Sequence, residues 1–230
     1  MKIIHLSDSH IGKDNQSMGV NTENHLDEVI QSINKSTTDL VVHSGDISHD
    51  GTVESYQKIQ QCFLNLQSKL SCIPGNHDNP KIMRSFFDSG INIDTQYWKL
   101  LSINTVLEGK TEGYVTDKEY DKFELDIEST GKHTLVVMHH PPISMESSWD
   151  DSISLTNSKR FLDIVERSDN IKCVIWGHAH ESKTFNYGEK LFVSCPSTAK
   201  QFNDEKRFGY NILNLEKSGY VELETQWIRL

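Results

Sequence analysis

Five times along this chain a short apolar run stops at a cluster of imidazole, carboxylate or amide side chains. That repeated ending constrains the fold more than any other feature. The clusters are Asp8-Ser9-His10, Gly45-Asp46, Gly75-Asn76-His77-Asp78, His139-His140 and Gly177-His178-Ala179-His180. Leu40-Val41-Val42 and Leu70, Cys72 and Ile73 read as buried strands; Pro74-Gly75 stops the second, and Pro141-Pro142 stops the later run from Thr134 to Met138. Polar groups that cap strands on a rigid sheet sit where binding and catalytic groups concentrate.

The runs between the clusters alternate strand and helix patterns. Strands are expected over Lys2 to Ser7, Leu40 to His43, Trp98 to Ile103, Thr134 to Met138 and Lys172 to Trp176. Helical spacing places Leu26, Val29, Ile30 and Ile33 behind Thr22 as N-cap, and Tyr56, Ile59, Phe63, Leu66 and Leu70 on one face of a second helix. Pro80 opens a short helix through Ile82, Met83, Phe86 and Phe87. Thr116-Asp117-Lys118-Glu119 is a capping box ahead of Tyr120, Phe123 and Ile127, and another helix carries Phe161, Leu162 and Val165. Two antiparallel hairpins close the chain, Thr184 to Ser194 around Gly188 and Tyr210 to Ile228 around Ser218-Gly219. The pattern predicts one α/β domain with mixed sheets over residues 1–230.

Charge narrows the partners. Lys plus Arg number 23 against 33 Asp plus Glu, a net charge of −10, so the molecular field repels duplex nucleic acid and acidic lipid surfaces. No apolar run approaches the roughly 20 residues of a membrane span, and Met1-Lys2 leads straight into Ile3-Ile4-His5-Leu6 without a secretory apolar segment. A soluble, cytoplasmic protein is expected. Cys62, Cys72, Cys173 and Cys195 lie in apolar segments without C-x-x-C spacing and read as buried free thiols.

Side by side, the clusters look like a metal site. Residues two apart on extended chain point to one side, so Asp8 with His10, and His178 with His180, are expected to converge. Nitrogen and oxygen donors without thiolate suit Mn, Fe or Zn. The donors exceed what one ion needs; two ions about 3.5 to 4 Å apart would use them, with Asp46 as the bridging carboxylate.

The ordered set D-x-H, G-D, G-N-H-D, H and G-H-x-H, spanning residues 8–180, resembles that of the calcineurin-like metallophosphoesterases. Within them the chain looks most like the bacterial class III cyclic-nucleotide phosphodiesterases, on His139-His140-Pro141, on Ser147-Ser148-Trp149-Asp150, and on Pro196-Ser197-Thr198 with Gln201-Phe202. The resemblance implies a four-layer αββα sandwich with a dinuclear site at one edge. Asp8, His10, Asp46 and His180 would hold one ion, and Asp46, Asn76, His139 and His178 the other. A hydroxide shared by the ions would attack phosphorus in line and open 3′,5′-cyclic AMP, or a similar small phosphodiester, to a 5′ monophosphate. His77 would stabilise the transition state or protonate the leaving 3′ oxygen, with Asp78 holding its ring and Asn76 and His140 beside it as substrate contacts.

Other readings stand beside these. Asp78 can cap the helix that starts at Pro80, and His140 can be a mere neighbour of a ligand. His5, His43 and His49 fall on no motif position and read as structural. Trp149, Phe202 and Arg207 are candidates for stacking on or pairing with a nucleotide, with local packing as the alternative. A different phosphoesterase of this fold (glycerophosphodiesterase, nucleotide pyrophosphatase or nuclease) and a non-catalytic scaffold are the competing functions.

Overall fold

The computed structural model describes residues 1–14, 16–203 and 205–229. The first half runs β1 (Lys2–Leu6), α1 (Thr22–Ile33), β2 (Leu40–His43), α2 (Val53–Phe63), β3 (Leu70–Cys72), α3 (Pro80–Met83), β4 (Asn92–Asp94), β5 (Trp98–Ser102) and α4 (Asp117–Glu128). The second runs β6 (His133–Val137), α5 (Ser148–Ser152), α6 (Ser158–Arg167), β7 (Ile171–Trp176), β8 (Thr184–Tyr187), β9 (Lys190–Ser194), β10 (Arg207–Leu215) and β11 (Val221–Arg229).

Two mixed sheets result, ordered β11-β10-β1-β2-β3 and β4-β5-β6-β7-β9-β8. β1, β2 and β3 run parallel, as do β5, β6, β7 and β9; the hairpins add antiparallel strands at the margins. The period-2 alternation of strand side chains builds the layers. Ile3, Leu40 and Val42 point inward onto Leu135, Val137, Cys173 and Ile175, forming the core between the sheets. Their chain neighbours Ile4 and Val41 point outward beneath Leu26, Val29 and Ile30 of α1 and Tyr56 and Ile59 of α2. On the far side Val136 and Val174 meet Tyr120 and Phe123 of α4 and Phe161 and Val165 of α6. Helix, sheet, sheet, helix is therefore the layer order, the expected αββα sandwich. All four cysteines are buried and free, and no helix among the described residues is long and apolar enough to cross a membrane.

Local chemistry explains most helix starts and corrects two. Asn21, not Thr22, caps α1, its side chain accepting the Asn24 N–H. Both residue types can cap; the one in extended conformation just ahead of the first turn does so. Thr116 accepts the Glu119 N–H as the capping box predicts, but Glu119 turns its carboxylate to the Asn104 N–H. The second helix stops at Phe63, and Leu66 and Leu70 pack on the same core from the turn beyond it and from β3. Likewise Phe86 and Phe87 follow the single turn of α3 rather than extend it.

Candidate metal centre

Every parallel strand that carries a motif ends at the same rim. β1 runs into Asp8 and His10, β2 into Asp46, β3 into Asn76 and His77, β6 into His139, and β7 into His178 and His180. Parallel strands present their carboxyl ends on one side, and there the two sheets pool their loops.

The expected convergence occurs, by a different backbone route. Among the described residues seven non-glycine residues have positive φ, and five of them are Asp8 (54°), His10 (45°), Asp46 (53°), His178 (66°) and His180 (49°). These five ligand candidates are left-handed, not extended, so alternation along a strand is not what aims them. Each such residue carries of order 1 kcal/mol of strain, which persists where the surroundings over-determine it. Glycines make room for the turns. A Cβ on Gly75 would strike the Asp46 carboxylate, and one on Gly177 would strike the Ser7 hydroxyl.

The donor atoms then meet. His10 Nε2 lies 3.0 Å from His180 Nε2 and 3.7 Å from Asp46 Oδ2, and His180 Nε2 is 3.5 Å from Asp8 Oδ1. On the other side His139 Nε2 lies 3.5 Å from Asp46 Oδ2 and 3.1 Å from Asn76 Oδ1. Asp46 thus stands between two groups of ligands. Asp8, His10 and His180 form one set able to hold an ion, and Asp8, Asp46 and His139 another.

These residues fit a cation. His139 Nδ1–H donates to the Ser44 carbonyl at 2.9 Å and His180 Nδ1–H to the Lys200 carbonyl at 2.6 Å, so each ring turns an Nε2 lone pair inward. His178 Nε2 is buried with no hydrogen-bond partner, a polar atom in need of one. Burial holds His178 neutral down to about 3 and keeps His10 well below the usual imidazole range, the protonation state that ligation requires. The carboxylates are fixed by backbone: His77 N–H donates to Asp46 Oδ1 at 2.8 Å, and His178 N–H to Asp8 at 3.0 Å. Burial pushes the Asp46 carboxyl up, but His139, with His10 and His77 beside it, outweighs this and holds it well below the usual range. In the same exchange burial opposes charge on His139, while Asp46 and Asp8 lift it to about 9. The rim calls for positive charge, which a divalent ion supplies on displacing that proton.

Three expected roles change. Asp78 neither orients the His77 ring nor caps α3. Its carboxylate is buried and accepts from Gly75 N, Ile47 N, Ser48 N and the Tyr56 hydroxyl, tying the Asp46 loop to the Asn76 loop. The short turn after Gly75 sets this: it leaves the carboxylate under the loop while the ring stands outside, and Asn79 caps α3 instead. Burial, and then Asp46, raise Asp78 to about 6. The His77 ring is exposed and donates Nδ1–H to the His49 carbonyl at 2.9 Å, leaving Nε2 free over the rim. His140 is fully buried with both ring nitrogens engaged, on the Thr105 hydroxyl at 2.8 Å and the Thr111 carbonyl at 3.0 Å, so it braces a loop and has no nitrogen left for substrate.

His49, read as structural, stands at the site: its ring stacks on His77 at 5.3 Å and its Nδ1 is 3.4 Å from His10 Nδ1. Its place on the loop three residues past Asp46 was the available signal. His5 and His43 do lie beneath the site, buried and bonded to the Ser44 and Ser9 hydroxyls. Arg207 lies over the Trp227 ring and pairs with Glu205. A cavity of about 220 Å³ opens above the ligands, lined among others by His77, Trp149 and Phe202.

The profile of the calcineurin-like phosphoesterases matches residues 1–182. The chain belongs to this family. Across its length it is 38% identical to a probable cyclic nucleotide phosphodiesterase of Vesicomyosocius okutanii, with 98% of both chains covered. It is 27% identical to the 3′,5′-cyclic adenosine monophosphate phosphodiesterase CpdA of Pseudomonas aeruginosa, over 96% of this chain and 87% of that one. Among solved structures, a dimetal phosphatase from Danio rerio superposes with a TM-score of 0.68 at 10% identity, covering 99% and 98% of the two chains. That likeness is one of fold. Family membership agrees with the ordered motifs and with His and Asp groups able to bind divalent metal ions.

Proposed function

We propose that this protein hydrolyses 3′,5′-cyclic nucleotides, cyclic AMP foremost, to 5′ monophosphates at a centre of two divalent ions. One ion is held by Asp8, His10, Asp46 and His180, the other by Asp46, Asn76, His139 and His178. The observation that carries the reading is Asp46, whose Oδ2 lies 3.7 Å from His10 Nε2 and 3.5 Å from His139 Nε2, within reach of both groups of candidate ligands. Full-length relatives named as cyclic nucleotide phosphodiesterases support the substrate, and the net charge of −10 weighs against a nuclease.

Bound ions would supply Lewis acidity toward the phosphate and an activated water for in-line attack. The chain's own groups do the rest. Ser44 and Lys200 carbonyls fix the imidazole tautomers, and the His77 N–H orients Asp46. With Nδ1–H on the His49 carbonyl, His77 Nε2 is the nitrogen that faces the leaving 3′ oxygen; it gives that oxygen a proton when the ring enters as the imidazolium, and leaves as the neutral Nδ1–H tautomer. Asp78 acts at one remove, by locking the loops that carry Asp46 and His77. Fe, Mn and Zn all suit this donor set.

The test is turnover of 3′,5′-cyclic AMP, beside bis-p-nitrophenyl phosphate, by protein loaded in turn with manganese, iron and zinc. Hydrolysis of both is expected, with 5′-AMP as product. Hydrolysis of the artificial diester alone would retain the phosphodiesterase and discard the cyclic nucleotide. Failure of both substrates at full metal occupancy would favour a scaffold.

A further inference from the structure

The cavity over the metal centre has two unlike surfaces. Its floor is polar, with Asp46, Asn76, His77 and His178; its outer wall is Met18, Trp149, Ile153 and Phe202. Two of those wall residues are large aromatics left in water, Trp149 54% and Phe202 45% exposed. Neither is held there by membership of a hydrophobic core.

Their arrangement is specific. Phe202 lies flat on the metal-side ring of His180, centroids 4.0 Å apart and planes at 12°. Trp149 meets Phe202 edge-on, at 5.2 Å and 83°. Trp149 is carried on α5, a single turn capped by the Ser147 hydroxyl and tied down where Asp151 accepts from Ser144 and the Met145 N–H. A polar, hydrogen-bonded turn thus presents an indole, and a phenyl ring braced on a metal-ligand candidate supports its edge. An exposed indole costs hydration, so a partner that covers its face gains apolar burial and π-contact together.

We propose that Trp149, braced by Phe202, is a platform on which the base of a nucleotide stacks while its phosphate lies on the metal floor. This rests on the reading of the site as a nucleotide phosphodiesterase and adds how the nucleoside is held. Stacking needs only a π-face, so it tolerates every base and strengthens with ring area. Among the described residues lining the cavity Thr111 alone carries a hydroxyl, and one hydroxyl reads little of a base edge. Adenine and guanine nucleotides are therefore held alike, and pyrimidine nucleotides less well.

Calorimetric titration of the metal-loaded protein with 5′-AMP and with inorganic phosphate isolates the base. Wild type binds AMP more tightly than phosphate. Trp149→Leu weakens AMP about tenfold, toward the lower end of the range for one stacked base, and leaves phosphate affinity where it was; Trp149→Phe keeps most of the AMP affinity. GMP tracks AMP, and UMP is weaker. AMP no tighter than phosphate in wild type, or equal weakening of both probes in Trp149→Leu, overturns the platform and makes Trp149 and Phe202 a local packing pair. Turnover is read separately: loss of cyclic AMP as a substrate sinks the proposed reaction, while the difference between AMP and phosphate decides the platform whichever way turnover falls.

Discussion

The interior between the two sheets and the rim where their strands end are made by the same strands, yet they obey opposite rules. In the interior Ile3, Val42, Val137 and Ile175 alternate inward with ordinary strand conformations and full burial. A few residues later, past the ends of β1, β2 and β7, the backbone turns left-handed at Asp8, Asp46 and His178, carboxylates are buried, and His178 Nε2 has no partner. The first region releases free energy on folding; the second holds part of it as strain and unmet electrostatic demand. A rim like this persists only because the packed strands beneath leave its loops little freedom, and a ligand that meets the demand is then bound without further ordering.

The largest effect on that contrast comes from Asp46, the carboxylate between the ligand groups. Asp46→Ala should lower phosphodiester turnover by about 10³ or more, with metal content below that of wild type; elemental analysis finding two ions per chain in the variant would rule out the bridge. His77→Ala should separate chemistry from metal binding, keeping the ions while turnover falls by about 10² to 10⁴. Loss of metal from that variant would reassign His77 as a ligand.

In the interior, Ile175→Ala should cost about 2 to 5 kcal/mol of stability in urea melts and leave metal affinity intact. If metal affinity falls with stability instead, rim and interior are not separable. A smaller effect probes the strain directly. At ordinary positions Ala is more stable than Gly, but at His178, with φ of 66°, the order should invert. His178→Gly should then exceed His178→Ala by about 1 kcal/mol in metal-free protein. Equal stabilities would mean that the left-handed turn stores nothing.

The most gradual effect is spread along the pH axis. Burial holds His5 and His43 neutral in the folded protein, lowering each from 6.5 to about 3. The unfolded chain takes up their protons first as pH falls through 6.5, so metal-free stability declines between there and about pH 3 and is fully present above. Each contributes up to about 1.4 kcal/mol per pH unit within the window. His43→Gln should make the slope shallower by that amount; an unaltered slope would show that His43 is charged in the fold.

Legibility followed the range of the interaction. Strands and their clusters were readable because alternation and stop signals are local, as were the cap at Thr116 and the buried thiols. The roles of Asp78, His140 and His49 were not. Asp78 bonds to Ser48 N and Tyr56, His140 to Thr105 and Thr111, and His49 meets His10 and His77, all contacts across tens of residues. Side chains adjacent in a motif pointed to different sides of a loop, which spacing cannot show. The short strand β4 was overlooked because Asn92-Ile93-Asp94 carries one apolar residue and pairs only at the sheet's edge.

The sequence by itself determined the alternation of strands and helices and which donor types cluster at strand ends, because both rest on periodicity and stop signals along contiguous chain; the family and its layered αββα order came from the resemblance of its ordered motifs. Only the tertiary structure decided how those donors aim, through left-handed turns rather than extended strands, and which neighbours hold them. Backbone handedness at a loop and hydrogen bonds between distant segments are settled by packing, and packing is a property of the whole fold.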